Sequence, residues 1–199
     1  MRVSCTDSDI KVVIKKIKAG KIIVFPTDTV YGIGCDPYNR KAVLRLYEIK
    51  KREKTKSFPI LGLSKTELEK IAEFNTLETK ITEKFWPGQI TLVLKVKDEK
   101  IQQSLGLSKK IAVRVPNNQC VLSLLKECKL LVGTSANISG TTPFTDPNEC
   151  SKNLTRYDLL IDGGIIPSQS ESTIVEIIGG NIKILREGNV PEKEIRELN

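Results

Sequence analysis

The sequence predicts an α/β domain: a twisted mixed sheet with flanking helices. Three observations carry the prediction. Apolar runs of strand character alternate with segments of helical periodicity along most of the chain. Two late strands in "STIVEIIGGNIKILR" flank a Gly-Gly-Asn turn, which is a hairpin signature and rules out a purely parallel sheet. A composition of 39% hydrophobic and 28% charged residues over 199 positions is that of a globular domain able to bury its own core.

The elements follow in order. Ile10, Val13, Ile14 and Ile17 recur at helical spacing, with Asp7 or Ser8 as the cap and Gly20 as the stop. "KIIVFPT" (21–27) reads as a buried strand, and "RKAVLRLYEIKKR" (40–52) as a helix. Ser64 and Glu67 stand at capping-box spacing in "SKTELEKIAEFN". "LETKITEKF" (77–85) is a helix stopped by Pro87-Gly88, and "QITLVLKV" (89–96) is a strand. In "KIAVRVP" (110–116), Ile111, Val113 and Val115 share one face, and Ala112 and Arg114 the other. "NNQCVLSLLKE" is a capped helix, "LLVGT" (130–134) a strand, and "DPNECSKNL" a helix with an Asp cap and Pro at its first position. After the hairpin, "PEKEIREL" closes as a short helix. No repeat, low-complexity tract or long linker interrupts the pattern, so residues 1–199 are expected to form a single domain.

Composition narrows the chemistry. Histidine is absent, which removes Ser-His triads and most zinc sites. Cys5, Cys35, Cys120, Cys128 and Cys150 are odd in number, irregular in spacing and without a Cys-x-x-Cys pair. Reduced thiols in a cytoplasmic protein are expected, with no metal site. No stretch approaches the ~20 apolar residues of a membrane span. The net charge of +8 points toward anionic partners, although a soluble lysine-rich surface explains charge alone equally well.

Several stretches could carry chemistry. In "VFPTDTVYGIGCD" a buried run meets Pro26, Thr27, Asp28, Thr29 and Tyr31, with Gly-x-Gly but no third glycine in register. A dinucleotide fingerprint is thereby excluded, and a local turn competes with a ligand pocket at the strand's carboxyl end. Lys50 lies seven positions after Val43 on the apolar helix face, and Arg52, Lys54 and Lys56 follow it. A lysine on an inward face must snorkel or meet an anion. Arg114 could line a cleft or sit on a wet sheet face. Ser135, Asn137, Ser139 and Gly140 follow the strand 130–134; Ser170, Ser172 and Thr173 precede the hairpin; Arg186 ends it. Small polar and basic groups gathered at strand ends form the pattern of one composite site.

Taken in order, "FPTDTVYGIGCD", "YEIKKREKTKSFPI", "FWPGQITLVL", "IAVRVP", "GTSANISG", "STIVEI" and "ILREGN" resemble the YrdC family of threonylcarbamoyl-adenylate synthases over about residues 8–190. The resemblance implies a YrdC-like fold around a large basic concave cavity. It implies formation of threonylcarbamoyl-AMP and pyrophosphate from L-threonine, bicarbonate or CO2, and ATP. The product would pass to the threonylcarbamoyl-transferase complex for N6-threonylcarbamoylation of adenosine 37 in tRNA. By motif, Lys50 and Arg52 are the catalytic pair. Thr27, Tyr31, Arg52 and Ser172 would bind threonine, with Arg52 clamping its carboxylate. Lys50, Lys56, Arg114, Ser135, Asn137 and Arg186 would bind ATP, whose phosphates carry Mg2+. Glu53 and Glu187 stand where the family commonly has proline, which bears on loop rigidity. A protein binding double-stranded RNA or tRNA without adenylate synthesis is the alternative. Aromatic residues for base stacking amount to only 5%.

Overall fold

A computed structural model describes residues 1–168 and 170–198. Its elements are β1 (Arg2–Ser4), α1 (Asp7–Lys18), β2 (Ile23–Phe25), β3 (Gly32–Gly34), α2 (Arg40–Lys50), β4 (Ile60–Gly62), α3 (Lys65–Leu68), β5 (Ala72–Glu73), α4 (Thr76–Phe85) and β6 (Ile90–Val96). There follow α5 (Glu99–Leu105), β7 (Lys110–Arg114), α6 (Gln119–Cys128), β8 (Leu130–Val132), β9 (Thr134–Ser135), α7 (Pro147–Asn153), β10 (Leu159–Asp162), β11 (Thr173–Ile178), β12 (Asn181–Arg186) and α8 (Glu192–Arg196).

The strands form two sheets rather than one, and both are mixed. The first has the order β1-β10-β2-β3-β9, and the second β12-β11-β6-β7-β4-β8 with β5 paired to β6. In the first, β1, β10 and β2 run parallel, while β3 is antiparallel to both β2 and β9. In the second, β6 is parallel to β11 and antiparallel to β7, and β4 is parallel to β7. The chain crosses between them at Gly133. Val132 pairs with Ile60 of the second sheet, and Thr134 with Ile33 of the first. A Cβ on Gly133 would lie 2.5 Å from the Leu61 side chain, so the crossing tolerates no side chain without movement. The stretch 130–134, read as one strand, is therefore two half-strands belonging to different sheets.

One buried cluster holds residues of both sheets, among them Val24, Ile33, Ile60, Leu92 and Val113. A second packs Val13, Ile14 and Ile17 of α1 and Leu124 and Leu125 of α6 against Ile23 and Ile161. The helical stripe at 10–17 thus finds its partner, but its cap is Thr6, one residue before the expected start. Ser64 does cap α3, yet that helix is a single turn, because Ala72–Glu73 is drawn off to pair with β6. The short strands β1, β3, β4 and β10 and helix α5 carry no sequence signal of their own. Each strand is three or four residues long, too short to show a period.

The cysteine expectation needs correction. Cys5 and Cys120 form a disulfide across 115 positions of sequence. Cys5 precedes α1 and Cys120 opens α6, so the packing of those two helices brings the thiols together. Spacing alone cannot reveal such a pair. Cys35, Cys128 and Cys150 are free thiols. No helix among the described residues is long and apolar enough to cross a membrane.

Candidate active site

A hollow of about 420 Å³ opens between the two sheets. Its walls come from the end of β2 and the turn after it, the end of α2, the strand pair β6–β7, the loop after β9, and the hairpin β11–β12. Nine of the ten residues given catalytic or binding roles by motif line it: Thr27, Lys50, Arg52, Lys56, Arg114, Ser135, Asn137, Ser172 and Arg186.

Tyr31 is the exception. Its ring is fully buried, and its hydroxyl accepts from the Gly163 N–H at 3.0 Å and donates to the Gly164 carbonyl at 2.8 Å. Burial pushes its pKa up to about 12. The side chain pins the loop after β10 and does not face the hollow, so direct contact with threonine is not what this geometry offers.

Both readings of the segment after β2 hold at once. Thr27 Oγ1 donates to the Val30 carbonyl at 2.6 Å and accepts from the Thr29 N–H at 3.1 Å, which is turn chemistry. The turn so formed is nonetheless a wall of the hollow. Gly32 and Gly34 are explained by packing. A Cβ at Gly32 would meet the Phe25 ring at 2.8 Å, and one at Gly34 would sit 1.6 Å from the Val132 carbonyl oxygen.

Lys50 behaves as its position on the inward helix face predicts, being only 1% exposed. Its ammonium donates to the Ser135 carbonyl, to the Asn137 carbonyl at 2.8 Å and to Asn137 Oδ1 at 3.0 Å. All three of its protons have acceptors within this chain. Burial, reinforced by repulsion from Arg52, lowers its pKa to about 7. Asn137 Oδ1 also accepts from the Ser135 hydroxyl at 2.7 Å, and Asn137 Nδ2 donates to the Thr141 carbonyl. Lysine and Ser-x-Asn loop are therefore one braced unit. The Lys50 ammonium, expected to face phosphates, is here committed to the oxygens of this loop while its side chain still lines the hollow.

Arg52 donates through Nε to the Lys56 carbonyl at 2.7 Å and through Nη2 to the Ser57 carbonyl at 3.0 Å, and it lies over the Phe58 ring. Its own loop holds it, and Nη1 makes no protein hydrogen bond among the described residues. Arg114 is more committed. It donates to the Gly88 carbonyl at 2.8 Å, Thr29 Oγ1 at 3.1 Å and Asp28 Oδ1 at 2.6 Å, with both ionic side chains about nine-tenths buried. Burial lowers its pKa, and Asp28 opposes that shift. Arg114 is thus a tie between the sheets before it is a ligand for an anion. Ser172 Oγ lies 2.8 Å from Thr91 Oγ1. Arg186 pairs with Glu171 at 2.6 Å.

Sequence reasoning missed Glu171, Thr91 and Thr141 in the lining, while Thr29, part of the segment after β2, is there. Glu171 sits inside "SESTIVEI" and was visible there, but only the tertiary structure brings it against a cation fifteen positions away. Both family departures have local uses. Glu53 pairs with Lys56 at 3.2 Å, and Glu187 accepts from the Glu192 N–H at the start of α8. Among the described residues no cluster of three or more His, Cys, Asp or Glu is placed to hold a metal ion.

A family model for Sua5, YciO and YrdC proteins, described as "Telomere recombination", matches residues 15–188. A Methanocaldococcus jannaschii protein provisionally named threonylcarbamoyl-AMP synthase is 37% identical over 182 residues, covering 91% of this chain and 86% of its own. The threonylcarbamoyl-AMP synthase of Pseudoalteromonas atlantica is 36% identical over 160 residues, covering 78% of this chain and 86% of its own. The crystal structure of Pyrococcus abyssi Sua5 complexed with L-threonine superposes with a TM-score of 0.91 at 28% identity, covering 100% of this chain and 60% of that one. With the fold, the lining and these likenesses in agreement, the chain belongs to the Sua5/YciO/YrdC family.

Proposed function

We propose that the protein is a threonylcarbamoyl-AMP synthase. The observation that carries the reading is the convergence of Lys50, Arg52, Lys56, Arg114 and Arg186 on one hollow between two sheets. Two anions that repel each other, a carbamate and a triphosphate, need such a lining to approach.

The reaction divides into two steps. The neutral threonine amine adds to CO2, giving a carbamate and releasing a proton, or to bicarbonate, giving the carbamate and water. A carbamate oxygen then bonds to the α-phosphorus of ATP as the bond to pyrophosphate breaks. No protein nucleophile is needed, so catalysis rests on positioning and fixed charge. Arg52, with one nitrogen uncommitted, is suited to the threonine carboxylate. Arg186 and Lys56 are suited to the phosphates. Lys50 positions Ser135 and Asn137. Tyr31 acts at one remove, by fixing the loop at Gly163.

Mg2+ arrives on the ATP phosphates in this reading. Among the described residues the lining offers one carboxylate, Glu171, already paired with Arg186, and a hard cation needs more oxygen ligands than that. The mixed anhydride formed is an activated acyl donor. A second, transferase-type enzyme acting on adenosine 37 of tRNA in the cytoplasm would consume it.

The test is pyrophosphate release from ATP by the purified protein, with threonine and bicarbonate omitted in turn. Release should require both. Release that ignores threonine, or none at all beside salt-sensitive binding of double-stranded RNA, would replace this reading with the RNA-binding one.

A further inference from the structure

Glu171 is the one carboxylate lining the hollow among the described residues, where it faces five cationic side chains. Its main chain is fixed without help from its side chain. The carbonyl accepts the Asn189 N–H at 3.1 Å, and a Cβ on Gly188 would come within 2.1 Å of that same oxygen. The side chain is left to act through charge. Its Oε2 accepts from Arg186 Nη1 at 2.6 Å.

Two roles for this pair differ in sign. A carboxylate that merely orients Arg186 helps an anionic ligand bind. A carboxylate that occupies Arg186 hinders it, because a phosphate must displace a like charge to reach the guanidinium. The contacts favour the second. Arg186 is already oriented through Nε and Nη2, which lie 3.2 and 2.8 Å from the Ser172 carbonyl. Glu171 takes the one remaining nitrogen. The two side chains are 38% and 31% exposed, so the pair can open without unmaking a core.

We propose that Glu171 is a resident counter-anion that holds Arg186 and competes for it with a phosphate group of the ligand, setting polyphosphate affinity below what the lining cations alone would give. The proposal rests on reading the hollow as a nucleotide site and adds a release device to it. Pyrophosphate, the most highly charged product, is the species such a carboxylate would help to expel.

The test uses the full chain and inorganic pyrophosphate as the probe, with binding followed by titration calorimetry at low and high salt. Glu171→Gln keeps shape and hydrogen bonding while removing the charge. It should bind pyrophosphate about two- to five-fold more tightly than the wild type, as expected for release from a partly exposed ion pair. The gain should fade at high salt and vanish when Arg186→Gln is added. A melting temperature for each variant confirms that it folds, and Glu171→Ala serves as the second variant should Glu171→Gln fail. If the wild type binds pyrophosphate and Glu171→Gln binds it equally or more weakly, Glu171 only orients Arg186 and the proposal falls alone. If the wild type binds neither pyrophosphate nor ATP, the nucleotide reading falls with it.

Discussion

Lys50 joins a charge requirement to a packing requirement. Its ammonium satisfies three acceptors of the Ser135–Asn137 loop from a fully enclosed position. Replacing it with Met of similar length leaves the Asn137 carbonyl without its partner, at about 1–3 kcal/mol where water cannot reach it, while the Ser135 carbonyl keeps the Asn137 N–H and Asn137 Oδ1 keeps the Ser135 hydroxyl. Lys50→Met should therefore lose both pyrophosphate release and several degrees of melting temperature. Arg52→Ala, at a half-buried site, should lose the activity with a smaller drop. Burial holds the Lys50 pKa near 7, although the three surrounding oxygens pull the other way by accepting from the charged form. We take burial as the larger effect. The unfolded chain keeps that proton to about pH 10.4. Between these values the unfolded state binds more protons, so the Lys50 contribution to stability rises with pH across the window. In a melting series from pH 7 to 10, the wild type should gain stability relative to Lys50→Met as pH rises, a comparison that cancels the opposite slope of the buried thiols, whose pKa values burial raises.

Among the elements, β3 shows how little room the architecture allows. The strand is three residues long, pairs with β2 on one side and β9 on the other, and carries glycine at both ends. At Gly34 a methyl group would overlap a main-chain oxygen that cannot rotate away, whereas at Gly133 it would meet the movable side chain of Leu61. Gly34→Ala should cost on the order of 1–3 kcal/mol or more, by the usual measure of overpacking. Gly133→Ala should cost less. Urea midpoints of the two variants, taken with equal denaturant slopes, would compare them. Equal midpoints would mean that β3 shifts freely against β8.

For the molecule as a whole, the question is what keeps two sheets in register about a charged hollow. Arg114 on β7 of the second sheet is paired with Asp28 in the turn after β2 of the first, and Gln89 adds a bond to the Asp28 carbonyl at 2.7 Å. Breaking a buried pair from one side strands the other charge, typically at about 3–5 kcal/mol. Arg114→Met should pay that penalty, and adding Asp28→Leu should recover most of it, since two apolar groups often replace a buried pair without loss. Chemical denaturation of the single and double variants decides the point. A single variant that costs under about 1 kcal/mol would class the pair with exposed ones.

Much of this was legible along the chain, for a physical reason. Helical stripes such as Ile10–Ile17, the alternation around Arg114 and the Gly-Gly-Asn hairpin are local patterns set by backbone periodicity, and they appear as α1, β7 and β11–β12. The inward lysine at the end of α2 was likewise readable from its phase on the helix. What depends on partners far along the chain was not. The division into two sheets turns on the crossing at Gly133, the disulfide on the meeting of α1 with α6, and the duties of Lys50, Tyr31 and Glu171 on acceptors and donors brought in from other elements. Sequence alone, through its ordered motifs, named most of the residues that line the hollow. Tertiary structure decided which of them are spent holding it together and which keep a nitrogen to offer, because a hydrogen-bonding group's availability depends on its neighbours in space.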